Sequence, residues 1–156
     1  MNAKEQELER WIEDRHARRT AELAPGAQRL SIARLQQWKA LQYGMFIHFG
    51  LKTFYPRPTS WPDWVRIVRE TPEDPAMFQP EQLDVEQWMR TAQEAGMKYA
   101  ILTTRHGNEF CLWPTQYTDK HAVNSPLRVD VVRLFVDACR KYGIVPCFYY
   151  AGGSSL

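Results

Sequence analysis

One pattern constrains this chain more than any other: three times, a glycine is followed at once by a short apolar run. Gly44 leads Met45-Phe46-Ile47-His48-Phe49. Gly96 leads Met97-Lys98-Tyr99-Ala100-Ile101-Leu102-Thr103-Thr104, and Gly143 leads Ile144-Val145-Pro146-Cys147-Phe148-Tyr149-Tyr150. The glycines stand 52 and 47 residues apart. Runs of this length with almost no polar alternation read as strands buried on both faces, the habit of a parallel sheet covered by helices. The sequence between them supplies the helices. Asp84 with Gln87 three residues on forms a capping-box arrangement, and Val85, Trp88, Met89 and Ala92 recur at helical spacing. Gly96 closes that helix just past its end. A further helix begins near Asp130, with Val131, Val132, Phe135, Cys139 and Tyr142 as its apolar stripe. Arg140 and Lys141 suit its C-terminal dipole, and Gly143 ends it.

Strand, helix, strand, helix, strand in this order is the pattern of right-handed βαβ crossovers. The segments after the strands are long, about 51–83 and 105–128, while those before them are little more than a glycine. In βα-barrels the site is built from the segments that follow the strands, so the asymmetry points to an enzyme's working face. A full barrel needs about 250 residues. The expected fold is therefore α/β: the N-terminal portion of a (β/α)8 TIM-like barrel, incomplete, with about three βα units. Ahead of it, residues 3–23 read as a polar helix broken by Ala24-Pro25-Gly26. A short helix from Ser31 to Leu41 follows, with Ser31 as N-cap and Ile32, Leu35, Trp38 and Leu41 as its stripe. This gives an N-terminal helical extension over 1–30, a partial catalytic domain over 31–150, and a linker-like tail over 151–156.

The bulk numbers remove several function classes. A net charge of +2 is too small to argue for nucleic acid or a membrane surface. The early arginines, Arg15, Arg18 and Arg19, alternate with Glu13, Asp14 and Glu22, which is the mark of a solvated helix face. Three cysteines, Cys111, Cys139 and Cys147, form no disulfide framework, and the last two sit in apolar patterns as buried thiols. No stretch approaches the roughly 18 apolar residues of a membrane span, and the charged N-terminus lacks a signal core. The expected location is cytoplasmic.

Four places carry residues that suit a binding pocket. His48 stands at the end of the first run, where an imidazole would point into the top of a barrel, although a lone histidine there could equally be a satisfied core residue. Arg105-His106-Gly107-Asn108-Glu109 ends the second run with a sudden polar cluster, and Phe110-Cys111-Leu112-Trp113 then restores apolar character. A few placed hydrogen-bonding groups against an apolar flank suit a ligand pocket. Trp61 and Trp64, around Pro62 and Asp63, offer flat faces for the C–H surface of a sugar ring, or else serve as loop anchors. His16 and His121 read as surface residues. No zinc pattern is completed around His48 and His106, and no phosphate-binding loop follows a strand, so neither metal nor cofactor is expected.

At these residues the sequence resembles the α-L-fucosidase family of glycoside hydrolases. The family's opening segment is matched by Tyr43-Gly44-Met45-Phe46-Ile47-His48-Phe49-Gly50, and its Glu-Trp-Tyr segment is approached by Asp63-Trp64-Val65. Phe78-Gln79-Pro80 through Leu83-Asp84 to Trp88 matches a third stretch, and Ala95-Gly96-Met97-Lys98-Tyr99-Ala100 a fourth. The hallmark Thr-Lys-His-His-Asp-Gly-Phe-x-Leu-Trp appears as Thr104-Arg105-His106-Gly107-Asn108-Glu109-Phe110-Cys111-Leu112-Trp113. The resemblance implies a retaining hydrolase that cleaves terminal α-L-fucose from glycans. It also implies a pocket in which His48 and His106 bond fucose hydroxyls, with Asp63, Trp64 and Asn108 lining it. Retention needs a carboxylate nucleophile and a second acid/base group about 5–5.5 Å away; the resemblance places both beyond Leu156, so the isolated chain is expected to be inactive. The implied partner is a fucose-containing carbohydrate, with homo-oligomerisation of the full-length protein left open. Two other readings compete: a non-catalytic sugar-binding module, and another barrel glycosidase or sugar isomerase. The hallmark is also altered: Gly107 stands for its second histidine, Asn108 for its aspartate and Glu109 for its glycine. A polar site that misses a substrate hydroxyl can change specificity greatly.

Overall fold

The computed structural model describes residues 30–152 and, ahead of them, Gln6, Arg10, Trp11, Glu13 and Asp14. Those five residues are helical; the rest of the helix expected over 3–23, with Arg15, His16, Arg18 and Arg19, lies outside the described residues, as do residues 153–156. The chain divides into two compact units, Met1–Gln42 and Tyr43–Leu156. The first contains helix α1 (Ile32–Leu41), whose N-cap Ser31 accepts a hydrogen bond from the Arg34 backbone at 3.3 Å.

The second unit holds a three-stranded parallel sheet in the order β1 (Gly44–Ile47), β2 (Tyr99–Arg105), β3 (Val145–Tyr150). Gly44 pairs with Tyr99, and Tyr99 with Val145. A side chain at Gly44 would place its Cβ 2.6 Å from the Tyr99 ring, so only glycine fits there without moving that ring. Helix α3 (Val85–Glu94) precedes β2, and α4 (Val131–Lys141) precedes β3. Both start as their sequences predict: Asp84 accepts from the Gln87 backbone and Asp130 from the Arg133 backbone, each at 2.8 Å. At the end of α3, Gly96 lies at φ +77°. Its N–H reaches the Gln93 carbonyl and the Met97 N–H the Ala92 carbonyl, each at 2.9 Å, which is a Schellman closure.

The core lies between the two helices and one face of the sheet. Met89 and Ala92 of α3, Phe135 and Cys139 of α4, and Ala100 and Leu102 of β2 have no exposed surface. The Cys139 thiol donates to the Met89 sulfur at 3.2 Å, and Phe135 meets Phe148 edge-on. Burying a side chain such as Met89 or Phe135 stabilises the fold by about 1.5–3 kcal/mol relative to exposure. Burial pushes the Cys139 thiol up to about 12, so it packs as an uncharged group.

The other face of the sheet departs from the sequence expectation. Only β2 is largely buried. Phe46 of β1 is 48% exposed and Tyr149 of β3 is 38% exposed, so these runs are not covered on both sides. Among the described residues each of the two has one neighbouring strand, and the helices cover one face alone. Cys147 is accordingly half-buried, not a core thiol. The segment after β1 also holds more structure than a loop: a 3-10 turn at Leu51–Phe54, helix α2 (Trp61–Glu70) and a second 3-10 turn at Pro75–Met77. Among the described residues, no helix is long and apolar enough to cross a membrane.

Candidate active site

Two devices at the strand ends set the site. The first is a hydroxyl clip. Thr103 is 4% exposed; its Oγ1 accepts from the Phe49 backbone at 3.1 Å, and its own proton lies within reach of the Phe49 carbonyl (3.0 Å) and the Ile47 carbonyl (3.3 Å). The backbone on both sides of His48 is thus fixed to β2. Strand alternation then divides the side chains. Phe49 packs into an aromatic cluster with Phe54, Phe78 and Trp88, centroids 6.3, 5.4 and 5.3 Å away. His48 goes to the open face, where it stacks on Phe46 at 4.7 Å. It is not a core histidine.

The second device is a bulge. Thr103 pairs with Tyr149 and Arg105 with Tyr150, so Thr104 is one residue extra in β2. Thr104 is buried, and its hydroxyl donates to the Tyr149 carbonyl at 3.0 Å. Past the bulge, the His106 ring stacks on Tyr149 at 5.7 Å and comes within 6.0 Å of His48. Its pKa lies below the usual imidazole value, first because of partial burial, then because of the positive charges of Lys52 and His48. The neutral ring can accept as well as donate a hydrogen bond.

These groups line one cavity of about 380 Å³, walled by His48, Phe49, Gly50, Leu51, Lys52, Thr53, Trp64, Thr103, His106 and Asn108. Of the site residues expected from sequence, His48, Trp64, His106 and Asn108 meet there. Asp63 does not line it. Its carboxylate accepts from the Thr59 backbone at 2.9 Å and from Arg66 at 2.7 Å, and both bonds hold its pKa down, the first most strongly. Asp63 thereby secures the start of α2, which presents Trp64 to the cavity. Trp61, 75% exposed, is not among the lining residues.

Asn108 is 2% exposed and its Nδ2 has no hydrogen-bond partner among the described residues. It faces the Tyr55 hydroxyl without a well-aligned bond between them. Burial, then the Glu73 carboxylate, push that hydroxyl's pKa up, and Asn108 offsets only part of the rise. His121, expected at the surface, is buried at 8% exposure. The chain around it is stitched to the sheet: Ala122 donates to the Cys111 carbonyl and Leu112 to the Thr104 carbonyl, each at 2.9 Å. Lys52, Thr53 and Thr103 are the polar lining residues that sequence reasoning passed over. Thr103 was visible as a hydroxyl inside an apolar run; Lys52 carried no signal beyond its place after His48. Among the described residues no group of three or more His, Cys, Asp or Glu side chains is placed to hold a metal ion.

The α-L-fucosidase family model matches residues 11–153, a span that contains the whole cavity. The chain belongs to that family. Over 111 residues it is 34% identical to alpha-L-fucosidase 1 of Arabidopsis thaliana, which takes in 69% of this chain and 20% of the plant protein. Alpha-L-fucosidase isoenzyme 1 from Paenibacillus thiaminolyticus superposes with a TM-score of 0.65 at 38% identity, covering 76% of this chain and 28% of that one. A fucosidase from Bacteroides thetaiotaomicron, solved as a trapped covalent intermediate with 2-fluoro-fucosyl fluoride, gives 0.66 at 28% identity, over 81% of this chain and 32% of that one. The chain thus spans about a fifth of the length of the plant relative. Family membership also gives the altered hallmark a structural meaning. Glu109 stands where the family motif has glycine, and its φ is +61°, in the left-handed region that favours glycine. Its carboxylate lies 3.3 Å from Arg105.

Proposed function

We propose that this chain supplies the sugar-holding side of a retaining glycosidase site for terminal α-L-fucose on glycans. In this reading its three strands are consecutive strands of a (β/α)8 barrel, of which these residues form about three βα units. The observation that carries it is the convergence of His48, Trp64, His106 and Asn108 on one cavity at the C-terminal ends of parallel strands. The two imidazoles can donate to and accept from ring hydroxyls. Trp64 offers a flat apolar face, and Asn108 lines the same wall. Asp63 enters as the residue that positions Trp64.

The bond-breaking step needs two carboxylates about 5–5.5 Å apart in a retaining enzyme. No Asp or Glu is among the residues lining the cavity. The carboxylates beside it in sequence, Asp63 and Glu109, are engaged by Arg66 and Arg105. The nucleophile and acid/base are therefore assigned to parts of the barrel outside these residues. The covalent intermediate named for the Bacteroides relative supports the retaining course. The test is hydrolysis of a chromogenic α-L-fucoside by the purified chain, together with L-fucose titration. Saturable fucose binding weakened by His48→Ala and His106→Ala, with no turnover, is expected. Turnover abolished by one carboxylate substitution within this chain would overturn the assignment.

A further inference from the structure

Resting on the sugar reading of this cavity, we propose that Tyr55 is a positioning residue of the site. It holds the Asn108 amide nitrogen inward, so that the Asn108 carbonyl meets the sugar as the acceptor for one ring hydroxyl. Asn108 is among the residues lining the cavity, yet its Nδ2 is buried and the residue as a whole is 2% exposed. The edge of the amide left for a ligand is therefore the carbonyl. Tyr55 is 6% exposed, and its hydroxyl, the group that Nδ2 faces, is likewise buried without a hydrogen-bond partner among the described residues. A phenol hydroxyl can donate and accept, whereas an amide N–H₂ only donates. The sense of the pair thus depends on where the hydroxyl proton goes.

Glu73 decides that point. It lies close enough for its negative charge to act on the Tyr55 hydroxyl, and it is itself anchored by Lys120 at 2.6 Å. Its field draws the hydroxyl proton toward the carboxylate and leaves the phenol oxygen's lone pairs for the Asn108 N–H₂. A reversed amide would set its carbonyl against a hydroxyl whose proton is drawn elsewhere. Polarity therefore runs in one direction, from Lys120 through Glu73, Tyr55 and Asn108 to the sugar. The backbone places Tyr55 for this role. Its N–H donates to the Lys52 carbonyl at 3.3 Å, which ties it to the 3-10 turn whose Leu51, Lys52 and Thr53 line the same cavity. Nδ2 and the phenol oxygen stop short of a well-aligned bond in the free chain. Hydrogen bonds at binding sites often tighten only in the complex, and a sugar hydroxyl pulling on the carbonyl supplies the small turn required.

The test is calorimetric titration of the purified chain with L-fucose and with each of its monodeoxyfluoro analogues, in which fluorine replaces one ring hydroxyl and cannot donate a hydrogen bond. The parent chain should bind one analogue about tenfold more weakly than fucose, because a site built to accept that hydroxyl's proton rejects an analogue without it. Asn108→Ala should abolish the margin, and Tyr55→Phe should remove most of it, with folding of each variant checked by circular dichroism. Asn108→Asp carries an acceptor oxygen at either edge and needs no orienting, so the margin should survive when Asn108→Asp is combined with Tyr55→Phe. In nitrogen-15 NMR spectra the Asn108 side-chain N–H₂ signal, identified by its loss in Asn108→Asp, should move on addition of fucose in the parent chain and stay in place in Tyr55→Phe. A margin unchanged in Tyr55→Phe or in Asn108→Ala, a margin lost from the combined variant, or analogues that all bind like fucose would each overturn this proposal and leave the sugar reading standing. Binding of no sugar by the folded parent chain would remove both readings together.

Discussion

Replacing Glu109 by glycine and, separately, by alanine isolates the strain at the altered hallmark. Both substitutions remove the Arg105 contact, which at 3.3 Å and with the Glu109 side chain 42% exposed is worth about 0–1 kcal/mol. The contact therefore cancels in the comparison. What remains is the backbone. At φ +61° a residue with a Cβ carries about 1–2 kcal/mol that glycine does not. Alanine recovers about 0.4–1 kcal/mol through its stiffer unfolded chain. The glycine variant should thus be more stable than the alanine variant by roughly 1 kcal/mol, about 2–4 °C in Tm for a domain of this size. Urea unfolding followed by tryptophan fluorescence measures the difference. Arg90, exposed in the middle of α3, provides the control: there alanine should exceed glycine by about 1 kcal/mol. If alanine equals or exceeds glycine at position 109 as well, Glu109 is not strained and the argument fails.

Three further outcomes follow from the geometry. Thr103→Val keeps the shape but leaves the Phe49 N–H without its acceptor; denaturant midpoints should show a loss of about 1–3 kcal/mol, and the NMR signals of His48 should move. Asn108→Ala removes an amide whose Nδ2 bonds nothing, so stability should change by less than about 1 kcal/mol. The dissociation constant for fucose should nevertheless rise several-fold in calorimetry. Lys52→Met removes a positive charge that disfavours the His106 imidazolium, so the His106 pKa read by NMR titration should rise toward the ordinary value. In the parent chain that pKa is depressed, so the unfolded chain binds the proton more readily. His106 therefore costs stability as pH falls through about 6.5 and contributes none above it.

Much of the scaffold was legible in the sequence because it rests on local rules. Asp84, Asp130 and Ser31 cap helices because a short oxygen-bearing side chain can reach a free N–H, and Gly96 closes α3 because a left-handed residue is needed there. Helix α2 went unread although Ser60, Pro62 and Asp63 hold its first turn, because its tryptophans drew the segment toward a pocket loop. The exposure of Phe46 and Tyr149 and the burial of His121 depend on which elements lie alongside, and periodicity carries no such information. Four of the five residues proposed for the site meet in the cavity. Asp63 is spent locally because an aspartate at the third position of a helix finds backbone donors close by, and its side chain is too short to reach farther.

The extra residue at Thr104 has a meaning that extends beyond its hydrogen bond. In a plain strand, odd positions face one way and even positions the other, so Thr103 and His106 would look in opposite directions. The bulge resets that count once, which places His106 beside Tyr149 and His48. The pocket is thus encoded partly by an arithmetic property of the chain. Straightening the bulge with all its residues kept would leave every neighbouring side chain chemically intact and still point the imidazole at the helices. This stretch of β2 should tolerate exchange of residue type more readily than a shift of its register against β3.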